Sequence, residues 1–128
     1  MSAQRYLETI AECDQRLRHR LAHQAWLREQ MNACEDTVLG RQTSAVFAAR
    51  ADALKKDIEE AYAALDAQTR KVRHLIDRLP DMKERSALTL RFVDLLPHER
   101  AAEAMFVSVR HLFRIQRQAL LHLEGLVG

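Results

Sequence analysis

The sequence predicts an all-α protein: a long antiparallel coiled-coil helical hairpin followed by a small trihelical helix-turn-helix domain. Three observations carry that reading. The chain of 128 residues holds only 3 Gly and 2 Pro, and aromatic residues make up 5% of it. Such a mix is rich in helix formers and poor in turn or sheet material. Apolar residues through the first 79 positions recur three and four apart, the period of a helix stripe. No segment shows the alternating β-branched pattern of a half-buried strand. A chain of this length makes one domain, or one small domain plus an extended element.

Residues 3 to about 35 contain neither Gly nor Pro. Tyr6, Ile10, Cys13, Leu17, Leu21, Leu27, Met31 and Cys34 predict one apolar stripe along one helix. Arg5, Glu8, Glu12, Arg16, Arg20 and Arg28 form the opposite, solvated face, Gln24 interrupts the stripe and Trp26 lies just off it. Residues 36–44 break the pattern. Gly40 can take a left-handed turn conformation there, and Thr43 or Ser44 can cap the next helix.

The second helix carries the cleaner period. Phe47, Ala51, Leu54, Ile58, Ala61, Leu65, Gln68, Val72, Leu75 and Leu79 alternate steps of four and three. That alternation is a heptad seam and implies coiled-coil packing. Two helices of about 33 residues, each roughly 50 Å long at ~1.5 Å per residue, fold back on one another across one short loop. Trp26, Tyr62 and Ile76 flank the seams and would stay partly exposed in a lone hairpin. We therefore expect a homodimer through the hairpin, most simply a four-helix bundle.

Pro80 ends the second helix and sets the boundary between domains at 1–80 and 81–128. Asp81 and Glu84 have capping-box spacing and open a helix over Met82 to Leu95, with Leu88, Phe92 and Leu95 on its apolar face and Ala87 beside it. Pro97 occupies a favoured first-turn position of a short helix running to Met105. The turn is Met105-Phe106-Val107, and Ser108 caps a longer helix. The expected core is Leu88, Phe92, Ala101, Met105, Leu112, Ile115, Ala119 and Leu123. A core that small is expected to need support from the long hairpin.

Charge singles out one element. The net charge is only +2, and residues 1–80 hold 13 basic and 12 acidic side chains against 7 and 6 in residues 81–128. Ser108 to Leu123, however, holds 3 basic and no acidic side chains. Arg110 and His111 fall in the first turn, where cations oppose the helix macrodipole. An anionic partner would remove that cost, and a helix entering a DNA groove is the obvious case. Ser108, Val109, Arg110, His111, Arg114 and Gln118 are expected at exposed positions of the groove-facing half. Arg pairs with guanine, Gln with adenine, and Ser holds phosphate. Arg117 and Arg91 are expected on backbone phosphates, whereas Arg100 could equally pair with Glu103 or Glu99.

Other chemistry finds little support. His19 and His23 share a helix face, but no nearby Cys or carboxylate completes a metal site, so both are expected to be exposed surface residues. Cys13 and Cys34 lie roughly 30 Å apart along one helix at ~1.5 Å per residue, too far for a disulfide, and are expected as small core residues. There is no Gly-rich phosphate loop, Gly-x-Ser-x-Gly motif or paired-carboxylate arrangement, which predicts a non-enzyme without cofactor or metal. Without an apolar signal region or a membrane-length apolar run, the expected setting is cytoplasmic with reduced thiols.

Between Arg91 and Leu123 the chain resembles the C-terminal, promoter-reading domain of bacterial sigma factors. It is more similar still to small phage and prophage proteins that join a helical hairpin to such a domain. The residues carrying the resemblance are Arg91-Phe92, Glu99-Arg100-Ala101-Ala102, Ser108, Leu112-Phe113-Arg114 and Ala119-Leu120, together with the opening Tyr6-Leu7 and the hairpin length. Ala101 stands where the pattern has isoleucine, and Leu95-Leu96-Pro97-His98 where glycine and tryptophan are common. The resemblance implies a transcription regulator that binds double-stranded DNA at a phage promoter. Some relatives also bind RNA polymerase as partial sigma factors. Two alternatives remain open: a protein-interaction module docking on RNA polymerase or another regulator, and a small terminase-like DNA-packaging adaptor.

Overall fold

A computed structural model describes residues 2–127, and among them there is no strand. The elements are α1 (Ala3–Ala33), α2 (Val38–Ile76), α3 (Met82–Leu88), a π-helical segment (Thr89–Val93), α4 (His98–Ala104) and α5 (Val109–Val127). No described helix is long and apolar enough to cross a membrane. Two compact units form: residues up to Glu12 with those from Asp66 onward, and Cys13–Leu65.

In the Cys13–Leu65 unit the stripes of α1 and α2 do what their spacing dictates. Leu17, Leu27, Ala51 and Ile58 are buried, and Phe47, Leu54, Ala61 and Leu65 are half-buried. Trp26 sets its ring edge-on to Phe47, with centroids 6.0 Å apart, yet stays 49% exposed. Tyr62 is also exposed.

The connection between these helices is tighter than the sequence predicts. α2 begins at Val38, and the cap is Thr37, whose Oγ1 accepts from the Gly40 amide at 2.9 Å. Thr43 instead donates to the Leu39 carbonyl at 2.9 Å. Gly40 is not left-handed but lies inside the first turn of α2. A Cβ there would stand 1.9 Å from the Glu35 carbonyl oxygen. The glycine is needed because the Glu35 carbonyl lies where a side chain would begin, not because φ is positive.

In the other unit, α1 contributes Ala3, Leu7 and Ile10 to the interior, so the stripe runs through Leu7, and Tyr6 is half-buried. Val72 and Leu75 are buried as their spacing predicts, and Leu79 is buried beyond the end of the helix. The polar member of the row is satisfied, since the Gln68 amide donates to Thr9 Oγ1 at 2.6 Å. Ile76 is 1% exposed, contrary to expectation. This end of α2 shares a compact unit with three further helices, so its flank is not left to solvent.

α2 stops at Ile76, and the turn that follows is held by the Leu79 amide donating to the Ile76 carbonyl at 3.0 Å. Asp81 then caps α3, its Oδ1 accepting from the amides of Lys83 (2.7 Å) and Glu84 (3.2 Å). The reciprocal half of the capping box is missing. Glu84 is 4% exposed and its carboxylate meets His122 Nδ1 of α5 instead. The helix expected to reach Leu95 is α-helical only to Leu88 and then widens, with Asp94 donating to the Thr89 carbonyl five residues back at 2.9 Å. The widened turn still buries Phe92 with Ala87 and Leu88, and the chain then reverses at Leu95, which is left-handed at φ 57°. Pro97 is the extended N-cap residue of α4 rather than part of its first turn. Ala87, Ala101, Ala102, Leu112 and Ile115 form the core that fixes α4 against α5, with Met105 only partly buried at its edge.

Candidate nucleic-acid interface

The connection from α4 to α5 is made by backbone hydrogen bonds and one side chain. Met105 donates to the carbonyls of Ala101 and Ala102, and Val107 donates to Ala102 at 3.0 Å, closing the end of α4. Phe106 between them is left-handed at φ 57°, a conformation that glycine adopts without cost and a side chain does not. Ser108 Oγ then accepts from the His111 amide at 3.0 Å, as an N-cap should, and its carbonyl takes the first helical bond, from Leu112 at 2.9 Å.

α5 divides into two faces. Leu112, Ile115, Ala119 and Leu123 are buried. Arg110, Arg114 and Arg117, at steps of four and three, lie on the opposite face and are exposed, with His111 and Gln118 exposed alongside. Ser108 is exposed at the head of the helix, whereas Val109 is half-buried against the core. The ion pairs of the described residues are Arg18–Asp14, Arg41–Asp36, Arg70–Asp66 and His122–Glu84. None engages an α5 arginine. The first turn of α5 has no acidic residue to offset Arg110 and His111.

Arg91 stands on the π-helical segment rather than on α5. It is half-buried, its Nη1 donates to the Leu96 carbonyl, and its guanidinium lies 6.0 Å from the Phe92 ring centroid. Burial lowers its pKa, with Glu99 opposing the shift. It braces the corner between the π-helical segment and α4. Beside it, His98 stacks on Phe113 with centroids 4.4 Å apart. Burial first, and Arg91 second, lower the His98 pKa, while Glu99 pulls the other way.

Among the described residues no group of three or more His, Cys, Asp or Glu side chains could hold a metal. His19 and His23 are exposed, and Cys13 and Cys34 are unpaired and half-buried.

Two surface features were missed by sequence reading. Phe106 is 94% exposed and Met82 71%, and they border a groove of about 480 Å³ with Leu90, Met105, Lys83 and Arg85. Leu121, 66% exposed, continues the Arg110-Arg114-Arg117 row by one more step of four. The available signal for Phe106 was its place, since a large apolar residue in a predicted turn has no helix face to bury it.

Residues 26–124 match the family described as "Protein of unknown function (DUF1492)", and the chain belongs to that family. Comparison with curated proteins and with solved structures gives no match.

Proposed function

We propose that this DUF1492 protein is a DNA-binding transcription regulator of the phage or prophage type, acting in the cytoplasm. In this reading α4, the turn and α5 work as a helix-turn-helix, with α5 in the major groove of a promoter. The observation that carries it is the row Arg110, Arg114 and Arg117, exposed, without ion-pair partners, on a helix whose capped first turn is cationic. A cationic first turn is unfavourable in isolation and favourable against phosphate. Arg110, His111, Arg114 and Gln118 face base edges, and Ser108 and Arg117 hold the backbone. Arg91 keeps α4 in place from behind. The α1/α2 coiled-coil hairpin pairs two copies, which sets the spacing of their α5 helices.

The test is binding of the full chain to duplex DNA from upstream of its own gene, by anisotropy over a salt series. Wild type should bind with affinity that falls steeply with salt, roughly one unit of log–log slope per phosphate contact. Arg110→Ala and Arg114→Ala should lose binding at ~150 mM salt while keeping their helical circular dichroism. If both bind like wild type, α5 is not the reading helix.

A second reading has its own observation. Exposed Phe106 and Met82 beside a groove suit a protein partner such as RNA polymerase or another regulator. Capture of purified polymerase that Phe106→Ala abolishes, with no salt-sensitive DNA shift, would favour it over DNA reading.

A further inference from the structure

We propose that the DNA site of this protein carries two guanines within three consecutive base pairs, read by Arg110 and Arg114. This inference rests on the DNA-binding reading above and names what its interface recognises. Arg110 and Arg114 are one helical turn apart on the same exposed face, so their Cα atoms are about 6 Å apart along the axis at ~1.5 Å per residue. Base pairs stack at ~3.4 Å, so the two side chains span about two base steps.

The chemistry of the face favours guanine. A planar guanidinium fork matches the O6 and N7 acceptors that guanine alone presents together in the major groove. The same stretch of α5 has no Asp or Glu to accept from cytosine and no Asn to pair with adenine. Gln118, the candidate adenine reader, lies two turns beyond Arg110. Neither arginine is held by an acidic neighbour, so both forks are free to turn toward a ligand. Arg117, about 10 Å along the axis from Arg110, holds the backbone in the reading above. Leu121, the next residue of the row, has no donor to offer and ends the reading face.

The experiment selects duplexes with a randomised core of ~12 base pairs using the full-length protein, followed by sequencing. Wild type should enrich guanine at two positions no more than two steps apart. Arg110→Lys and Arg114→Lys keep the charge and lose the fork. Each should weaken the guanine preference at one position, a different one for each variant, with the salt slope unchanged, since an ammonium reaches O6 and N7 without the planar match. Circular dichroism checks that both variants fold. Salt-sensitive binding without enriched guanines, or unchanged enrichment in both lysine variants, overturns the guanine assignment and leaves DNA binding intact. Absence of any salt-sensitive binding overturns the DNA reading, and this inference with it.

Discussion

Two helices of the same compact unit begin with side-chain caps and then diverge. α3 opens on Asp81, which accepts from two backbone amides, and has Glu84 in its first turn. Both charges suit the positive end of a helix dipole. α5 opens on Ser108, which accepts from one amide, and is followed by Arg110 and His111 with no acid in the turn. Both helices are capped and both carry a cation at the second helical position, Lys83 and Arg110, but only α3 offsets it with acids, at the cap and at Glu84. The α3 start is arranged for stability. The α5 start gives up electrostatic stabilisation at a surface where an anion would restore it, and that contrast is the basis of the proposed DNA interface.

The largest expected effect lies where the two helices meet. The Glu84 carboxylate is buried, with His122 as its partner. His122→Ala leaves that carboxylate without its partner and should cost about 1–3 kcal/mol in denaturant unfolding. His122→Ala combined with Glu84→Met should recover much of the loss, because no unpartnered polar group then remains buried. A single variant as stable as wild type would mean that the pair does not tie α3 to α5.

Next come the caps. Asp81→Ala and Ser108→Ala should each cost about 1 kcal/mol. Asp81→Ala should cost more, since it removes two hydrogen bonds and a favourable charge. The opposite order would break the comparison, because it would mean that α5 relies more heavily than α3 on its start.

The smallest effect is pH-dependent. Burial and Arg91 hold the His98 pKa below its ordinary value, so the folded state prefers the neutral ring against Phe113. That contribution is complete above the unfolded pKa of about 6.5 and is lost as pH falls toward the depressed folded value. Wild type should therefore lose more thermal stability between pH 7.5 and 5.5 than His98→Gln. Equal losses would remove His98 from the contact between α4 and α5.

These residues also mark what sequence can carry. The apolar stripe from Phe47 to Leu75, the caps Asp81 and Ser108 and the buried face of α5 were legible because each depends on spacing within or at the start of one helix, whereas Leu79, read as part of the same helix, lies beyond its end at Ile76. The exposure of Arg110, Arg114 and Arg117 followed from the same period. What escaped depends on contacts through space. Glu84 reads as half of a capping box until His122, 38 residues on, takes its carboxylate. Arg91 reads as a free cation until the chain turns at Leu95 and brings the Leu96 carbonyl to it. Gly40 reads as a left-handed turn residue, but its reason is the Glu35 carbonyl lying where a Cβ would go. The π-helical turn has no composition signature. It lets Phe92 reach the core while Leu96 bonds back to the Leu90 carbonyl.

The contrast between the two helix starts can be tested with one substitution and two readouts. Arg110→Glu places an acid in the first turn of α5, as Glu84 stands in that of α3. It should raise folding stability by about 0.3–1 kcal/mol while abolishing salt-dependent DNA binding. A variant that is less stable than wild type, or that binds DNA as wild type does, would contradict the account.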